Sequence, residues 1–270
     1  LIAPQIKSAL ESATPSWHED QMVAMQRGGR LEETYWTYSY SPVFEQDGSV
    51  GGVLLSGTET TARVLTERRM RCLRALSDGL VDVTMASETV AVFCEVLGAD
   101  RLDLPFAMIY AVDELGALNL LGSTVPAQEL RSVDTTVRKE LEDRRRKGAN
   151  GADDDGTVLL ELPPLQLHDA PWPEAVSHAF AALVPRPPSA RPSRLLVFGL
   201  SPRVPFEGGY RCFVHTIAER LGMTRARIEA NEVRLKMESE RRDLLRQAPV
   251  PTVLWSGEDL RVELANEAFI

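Results

Sequence analysis

The feature that most constrains the fold is a run of three strand-like segments separated by two tight-turn sequences. Residues 17 to 26, 32 to 43 and 50 to 58 are rich in Val, Tyr, Trp, Thr and Leu, and the sequences RGGR and EQDGS lie between them. Short glycine-containing turns of this kind join neighbouring antiparallel strands. The sequence therefore predicts a three-stranded antiparallel meander, whose core is too small to be stable by itself and needs other elements to cover it.

The second of these segments, EETYWTYSYSP, is unusually aromatic. Because side chains alternate between the two faces of a strand, Trp36, Tyr38 and Tyr40 share one face. We expect this face to point inward or towards a dimer contact, since three large aromatic side chains in solvent would be a liability. Core packing or the docking of a helix explains such a face better than stacking on a ligand does.

Helical and strand-like patterns alternate along the rest of the chain. The apolar spacing predicts five helices, over residues 1–10, 59–80, 86–98, 133–146 and 206–247. Further strands are predicted as a pair within residues 105–125, at 157–163, 179–185 and 194–202, and as a hairpin after residue 250. The fold class is therefore α+β, with antiparallel sheets linked by long helices.

The last long helix carries a heptad pattern. Residues recur at alternating spacings of four and three, at Ile217, Leu221, Thr224, Ile228, Asn231 and Leu235. Such a seam is typical of paired helices, and polar Thr224 and Asn231 would keep it from locking into one register. Before Leu221 we expect the seam to pack on the chain's own sheet. Beyond Leu221 too few apolar residues remain to bury against a core, which favours pairing with a second copy.

Composition excludes several functions. The chain has a net charge of -9, which argues against a nucleic-acid partner. It has no apolar run near the roughly 20 residues that span a bilayer and no secretory leader, so we expect a cytoplasmic segment without membrane contact. It opens on Leu1 and stops within a strand-like pattern, so we expect a piece of a longer chain.

No catalytic constellation is visible. The sequence has no GxSxG, Walker or strand-following GxGxxG motif. Its four histidines, His18, His168, His178 and His215, form no metal-spaced cluster, so we predict no catalytic metal. Cys72, Cys94 and Cys212 are widely spaced, which indicates reduced, buried thiols.

Parts of the sequence resemble known signalling domains. The stretch from WHEDQMVAM to RCLRAL resembles the C-terminal half of a PAS domain with its PAC motif, in the form that precedes a GAF domain in sensor histidine kinases. Asp47 and Gly48 match the turn before the last PAS strand, and Glu59 and Thr60 match the exit into the signalling helix. The stretch LVFGLSPRVPFEGGYRCFVHTIAERL resembles the last strand and closing helix of a GAF domain. The final LLRQAPVPTVLWSGEDLRVELANEAF is similar to the start of another PAS domain.

The resemblance implies antiparallel sheets of PAS and GAF type linked by signalling helices. It implies four parts: half a PAS domain at 1–62, a GAF-like domain at 63–225, a signalling helix at 226–247 and the start of a second PAS domain at 248–270. It also implies the input region of a two-component sensor histidine kinase, acting as a homodimer on a downstream kinase domain or response regulator in a phosphorelay. Neither a phosphoacceptor box nor an ATP-binding glycine motif occurs in the segment.

The resemblance names no ligand or cofactor. The GAF-like part lacks a bilin-attachment cysteine and a cyclic-nucleotide signature, and its candidate pocket residues are Phe106, Met108, Tyr110 and Leu120. The alternative hypothesis is a ligand-free interaction scaffold that uses the same folds as docking surfaces. A filled interior around these four residues would favour the scaffold, and a cavity with inward polar groups would favour ligand sensing.

Overall fold

The computed structural model describes residues 2–113, 115–146, 157–184, 193–247, 249–251, 253–256, 259–265 and 268–269. The chain begins with a helix, α1, and the predicted three-stranded meander. Gly28 and Gly29 adopt φ of +54° and +82°, the backbone that the two central residues of a type I′ hairpin turn require. The strands pair in the order β1-β2-β3, all antiparallel, which confirms the meander. The bounds are α1 Ile2–Ser12, β1 Ser16–Arg27, β2 Arg30–Phe44 and β3 Val50–Glu59.

A second, five-stranded antiparallel sheet follows two helices. Its strands lie in the order β5-β4-β8-β7-β6, so the first and last strands of the unit are neighbours in its middle. The helices are α2 Thr61–Leu80, α3 Ala86–Ala99, α4 Arg131–Arg146 and α5 Gly208–Gln247. The strands are β4 Ala107–Val112, β5 Leu118–Ser123, β6 Thr157–Leu165, β7 Val176–Leu183 and β8 Ser193–Gly199. A short hairpin, β9 Val253–Ser256 and β10 Arg261–Ala265, comes last.

The five-stranded sheet has an apolar cluster on each face. Alternation along β8 sends Leu196 and Phe198 into the cluster shared with α2, α3 and α5, and Leu195 and Val197 into the cluster shared with α4. All four side chains are buried. The prediction of an α+β fold with antiparallel sheets is confirmed. The apolar side chains that alternate along the strands are buried on both faces of the large sheet, as the sequence pattern requires. Among the described residues, no helix is both long and apolar enough to cross a bilayer.

Candidate functional site

The joint between the two sheets is formed at the start of α2. This helix begins two residues after β3 ends, and its first turn is bonded to the middle strand of the small sheet. The Thr60 amide donates to the Tyr35 carbonyl at 2.8 Å, and the Tyr35 amide donates to Thr61 Oγ1 at 2.9 Å. The N-terminus of α2 therefore cannot move without moving β2.

A buried group of charges strengthens this joint about two turns further along α2. Arg68 Nη1 lies 2.6 Å from Glu33 Oε1 on β2, and Arg68 Nε lies 2.8 Å from Asp103 Oδ2 in the loop before β4. Arg69 Nη2 lies 3.0 Å from Asp103 Oδ1. The Glu33 and Asp103 side chains are fully buried. We call Glu33, Arg68, Arg69, Asp103 and the neighbouring Asp100 the junction network.

The junction network also reaches α5. The Arg69 guanidinium lies over the Tyr210 ring, 4.4 Å from its centroid, which is a cation–π geometry. The Tyr210 hydroxyl donates to the Asp103 carbonyl and accepts from the Ser201 amide at 3.0 Å. The Glu33 amide donates to the Arg203 carbonyl at 3.0 Å, in the loop between β8 and α5. One cluster thus connects the small sheet, α2, the loop before β4 and α5.

Asp100 is the member of the junction network that forms no salt bridge among the described residues, although the charges of Arg68 and Arg69 lie near enough to lower its pKa. Its side chain is buried, and Oδ2 has no hydrogen-bond partner among the described residues. Burial and then the negative charge of Asp103 raise the pKa of Asp100 to about 7, against an ordinary value of 3.8. The carboxyl of Asp100 therefore changes its charge near neutral pH.

Burial would lower the pKa of Arg68, but its hydrogen bonds to Asp103 and Glu33 outweigh that cost and hold the pKa above its ordinary value. Burial, followed by the nearby charge of Asp100, raises the pKa of the Cys72 thiol on α2. The arginine is therefore permanently charged and the thiol stays protonated.

The predicted seam on α5 is packed within the chain for longer than expected. Leu221, Thr224 and Ile228 are all buried, and Ile228 belongs to the cluster that α2, α3 and α5 share. The reason is the end of α2 and the loop after it: the Arg227 guanidinium donates to the carbonyl of Leu80, the last residue of α2, and to those of Val81 and Val83 in the loop. The expectation that the seam is free for a second copy beyond Leu221 is therefore wrong at Thr224 and Ile228.

The remaining seam residues are exposed. Asn231 Oδ1 accepts from Arg234 Nη2 of its own helix at 2.9 Å, and Leu235 is 53% exposed. From Ala230 to Leu244 every side chain of α5 is exposed. The helix is therefore divided at about residue 229 into a packed half and a free half.

The four pocket candidates differ in burial, although Leu120 pairs with Tyr110 across the two strands. Phe106, Met108 and Tyr110 alternate into the cluster that faces α4 and are all buried, whereas Leu120 on β5 is 36% exposed. The assignment of Leu120 to an interior pocket is therefore wrong. Strand β5 is the edge of the sheet, so a side chain there has fewer neighbours to cover it.

A polar triad lies at the α4 face of the same sheet. The Tyr110 hydroxyl donates to Asp134 Oδ1 at 3.0 Å, and Arg138 Nε donates to Asp134 Oδ2 at 2.8 Å. Arg138 Nη1 also donates to the Leu118 carbonyl at 2.8 Å. Burial and then the charge of Asp134 raise the pKa of Tyr110. Sequence reasoning missed Asp134 and Arg138, although their spacing of four on a predicted helix was an available signal.

The aromatic face of the small sheet is turned inward, as expected. Tyr38 and Tyr40 are buried beneath α1, where they pack with Ala9, and Trp36 lies beside them half-buried. The Tyr38 hydroxyl lies 2.8 Å from Gln5 Oε1 of α1. Helix α1 covers only part of this face. An open apolar groove of about 370 Å³ remains beside it, lined by Val23, Met25, Trp36, Tyr38, Tyr40, Leu55 and Gly57.

The cysteines and acidic groups suggest no metal centre. Cys72 is buried and Cys94 half-buried, as expected, but Cys212 is exposed. The expectation of a buried Cys212 is wrong because it lies on the outer face of α5. No group of three His, Cys, Asp or Glu side chains that could hold a metal occurs among the described residues.

No protein-family model matches the sequence, and no curated protein matches it. Solved structures do resemble it at 12% identity. The GAF domain of a putative sensor histidine kinase from Pseudomonas syringae pv. tomato has a TM-score of 0.38, covering 66% of this chain and 98% of that one. A GAF domain from a phosphoenolpyruvate-protein phosphotransferase of Coxiella burnetii has a TM-score of 0.40, and the match covers 62% of this chain and 98% of that one. The Stigmatella aurantiaca phytochrome photosensory core module has a TM-score of 0.41, with 90% of this chain and 53% of that one covered.

Proposed function

We propose that this chain is a sensory relay module of a signal-transduction protein, the PAS and GAF input region of a sensor histidine kinase. In this proposal residues 1–62 are the C-terminal half of a PAS domain with its PAC motif, and residues 63–225 are GAF-like. The four-part division and the PAS character of residues 248–270 stay expectations from the sequence. The module acts in the cytoplasm as a homodimer, upstream of a kinase domain or a response regulator, without nucleic acid or membrane contact.

The observation that carries the proposal is the junction network. It bonds β2 of the small sheet to α2 through Arg68 and Glu33, and it bonds α2 to α5 through Arg69, Asp103 and Tyr210. Helix α5 then continues out of the core for more than four turns. A displacement at either sheet is therefore transmitted to one continuous helix that leads away from the domain.

Two alternative packings of such a helix that differ by a few kcal/mol suffice for signalling, provided that a ligand or partner favours one of them. Buried charge pairs suit this role because they have discrete arrangements with well-defined partners. The free half of α5 would then carry the change to the output partner.

Hydrogen exchange tests the relay. Glu33→Gln removes the charge that Arg68 contacts without changing the shape of the side chain, and we expect faster exchange in α2 and in the packed half of α5. Glu19→Gln is the matched control, because Glu19 is an exposed carboxylate on the same sheet. A change confined to β2 and the first turn of α2 would contradict the relay.

One observation favours the scaffold alternative. Phe106, Met108 and Tyr110 are buried within an apolar cluster, and the Tyr110 hydroxyl is bonded to Asp134 of the chain itself. A ligand entering there would have to displace these contacts. Native mass spectrometry of the purified protein separates the two hypotheses: a small molecule retained in stoichiometric amount supports sensing, and its consistent absence after expression in several hosts supports the scaffold.

A further inference from the structure

No described residue of the chain covers the free half of α5. Residues 230–247 extend over about 27 Å, and every described side chain from Ala230 to Leu244 is exposed. Most helical stability in proteins comes from packing of an apolar face, so an uncovered segment is stabilised when its apolar side chains are buried. Four large apolar side chains on it are more than half exposed, at Val233, Leu235, Met237 and Leu244.

These side chains do not lie on one line. Val233, Met237 and Leu244 fall on a stripe with three- and four-residue spacing that runs back towards the domain through Ala230, Ala226 and Met223. Met223 is 65% exposed, although it lies on the packed half of α5. We call this set the outer stripe: Met223, Ala226, Ala230, Val233, Met237 and Leu244. Glu240 and Gln247 continue its heptad as polar positions.

Leu235 belongs to the other line, the heptad seam of the sequence. In the packed half of α5 this seam is not accessible to a partner, because Thr224 and Ile228 are buried in the chain's own core. Away from the domain it meets Glu238 and Arg242, which are charged. The outer stripe is more apolar, and all of its residues except the half-buried Ala226 are exposed.

We propose that the outer stripe is the surface on which a second copy of this chain pairs, with the two helices parallel. The proposal rests on the homodimer of the proposed function and specifies which face of α5 forms it. A second copy that presents the same stripe can bury Val233, Met237 and Leu244 against their equivalents in a heptad packing. In this heptad the a positions are Met223, Ala230, Met237 and Leu244, and the d positions are Ala226 and Val233.

The charges beside the outer stripe favour the parallel orientation. The flanking e positions are Arg227, Arg234 and Arg241, and the g positions include Glu229 and Lys236. Antiparallel helices would place e positions against e positions, so that arginines meet arginines. Parallel helices place g against e, so that Glu229 meets Arg234 of the second copy.

One parallel pairing is repulsive, because Lys236 faces Arg241 of the second copy. Glu240 lies at the core position beside that pair, and its Oε1 is 4.0 Å from Lys236 Nζ in the same chain. Its carboxylate offsets part of the repulsion. With alanine and glutamate at core positions, we expect a weak dimer whose extent depends on concentration.

Matched charge substitutions, one on the outer stripe and one on the heptad seam, test which surface forms the dimer. Val233 and Leu235 are exposed to similar extents, 58% and 53%, so neither substitution disturbs the core. We expect Val233→Glu to raise the dimer dissociation constant by about tenfold or more, and Leu235→Glu to change it by less than about twofold, in sedimentation equilibrium. If Leu235→Glu weakens the dimer and Val233→Glu does not, the assignment of the interface to the outer stripe is wrong, although the chain is still a homodimer. A wild-type chain that stays monomeric at every concentration would overturn both.

Oxidative cross-linking tests the orientation. The Cys212→Ser background removes the exposed native thiol. In that background, Val233→Cys places one cysteine of each copy at the centre of two parallel outer stripes, where the two can form a disulfide. We expect a covalent dimer from Val233→Cys and none from Leu235→Cys. If Val233→Glu dissociates the dimer but Val233→Cys gives no cross-link, the helices are not parallel and that part of the proposal is wrong.

Discussion

The two sheets of this molecule are stabilised in different ways. The five-stranded sheet has an apolar cluster on each face, with Phe198 and Val197 fully buried on opposite sides of one strand. The three-stranded sheet has one small cluster beneath α1, and its other face meets the rest of the molecule through Tyr35 and the charge of Glu33. The large unit therefore has a core of its own, whereas the small sheet depends on its joint with α2.

This difference assigns separate roles to the two regions. A closely packed core resists small displacements, because moving one side chain disturbs many others. A joint built from a few buried charges can change as a unit when one partner is lost or neutralised. We therefore predict that the junction network, and not the aromatic face, controls how strongly the small sheet is coupled to the rest of the molecule.

The largest effect should follow loss of the central arginine. Arg68→Met leaves the buried Glu33 carboxylate without its cation, and uncompensated buried charges of this kind cost about 3–5 kcal/mol. We expect that loss in the free energy of unfolding measured with denaturant, together with an early transition of the small sheet. Arg71→Met is the control, because Arg71 is exposed on the same helix. Equal losses from both variants would contradict the role of the junction network.

A pH-dependent effect should follow from Asp100. The folded carboxyl keeps its proton up to about pH 7, while the unfolded one releases it near its ordinary pKa of 3.8. Between these values the unfolded state binds fewer protons, so stability falls as the pH rises, by up to about 1.4 kcal/mol per pH unit.

Asp100→Asn removes this titration. We expect the difference in unfolding free energy between the variant and the wild type to grow in favour of the variant from pH 5 to pH 7, and then to level off. Taking the difference cancels the titration of the other carboxylates, several of which have lowered pKa values. A difference that stays constant with pH would show that Asp100 is ionised throughout.

A smaller effect is expected on the aromatic face. Trp36 is half-buried and lines the open groove, whereas Tyr40 is almost fully buried beneath α1. Trp36→Ala should therefore cost about 1–2 kcal/mol, less than the roughly 3–5 kcal/mol of a fully buried aromatic side chain. Thermal unfolding of Trp36→Ala and Tyr40→Ala compares the two positions directly. A greater loss from Trp36→Ala would mean that the groove is closed in solution.

The sequence predicted the elements well because strands and helices have local signatures. The turn RGGR and the alternation around Trp36 specify the meander without reference to any distant residue. The junction network had no such signature. Glu33, Arg68 and Asp103 are about 35 residues apart in succession, and nothing in the arginine-rich α2 distinguishes Arg68 from the exposed Arg71.

The seam of α5 shows a second limit of sequence reasoning. A heptad pattern records that one side of a helix is apolar, but an intramolecular core and a partner helix produce the same pattern. The sequence therefore could not tell that Ile228 is covered by the loop after α2, which Arg227 fixes in place. The exposed outer stripe becomes apparent only when the buried side of the helix is known.

The smallest effect should come from the ion pair between Arg27 and Glu59, an exposed counterpart of the junction network that also lies on the small sheet. Arg27 Nη2 is 2.9 Å from Glu59 Oε2, a distance similar to those in the junction network, but both side chains are about one-third exposed. Water already solvates exposed charges and screens their attraction. We expect Arg27→Ala to leave the denaturant midpoint unchanged within error. A loss as large as that of Arg68→Met would show that connection to the sheet matters more than burial, and the distinction between the two kinds of charge pair would have to be abandoned.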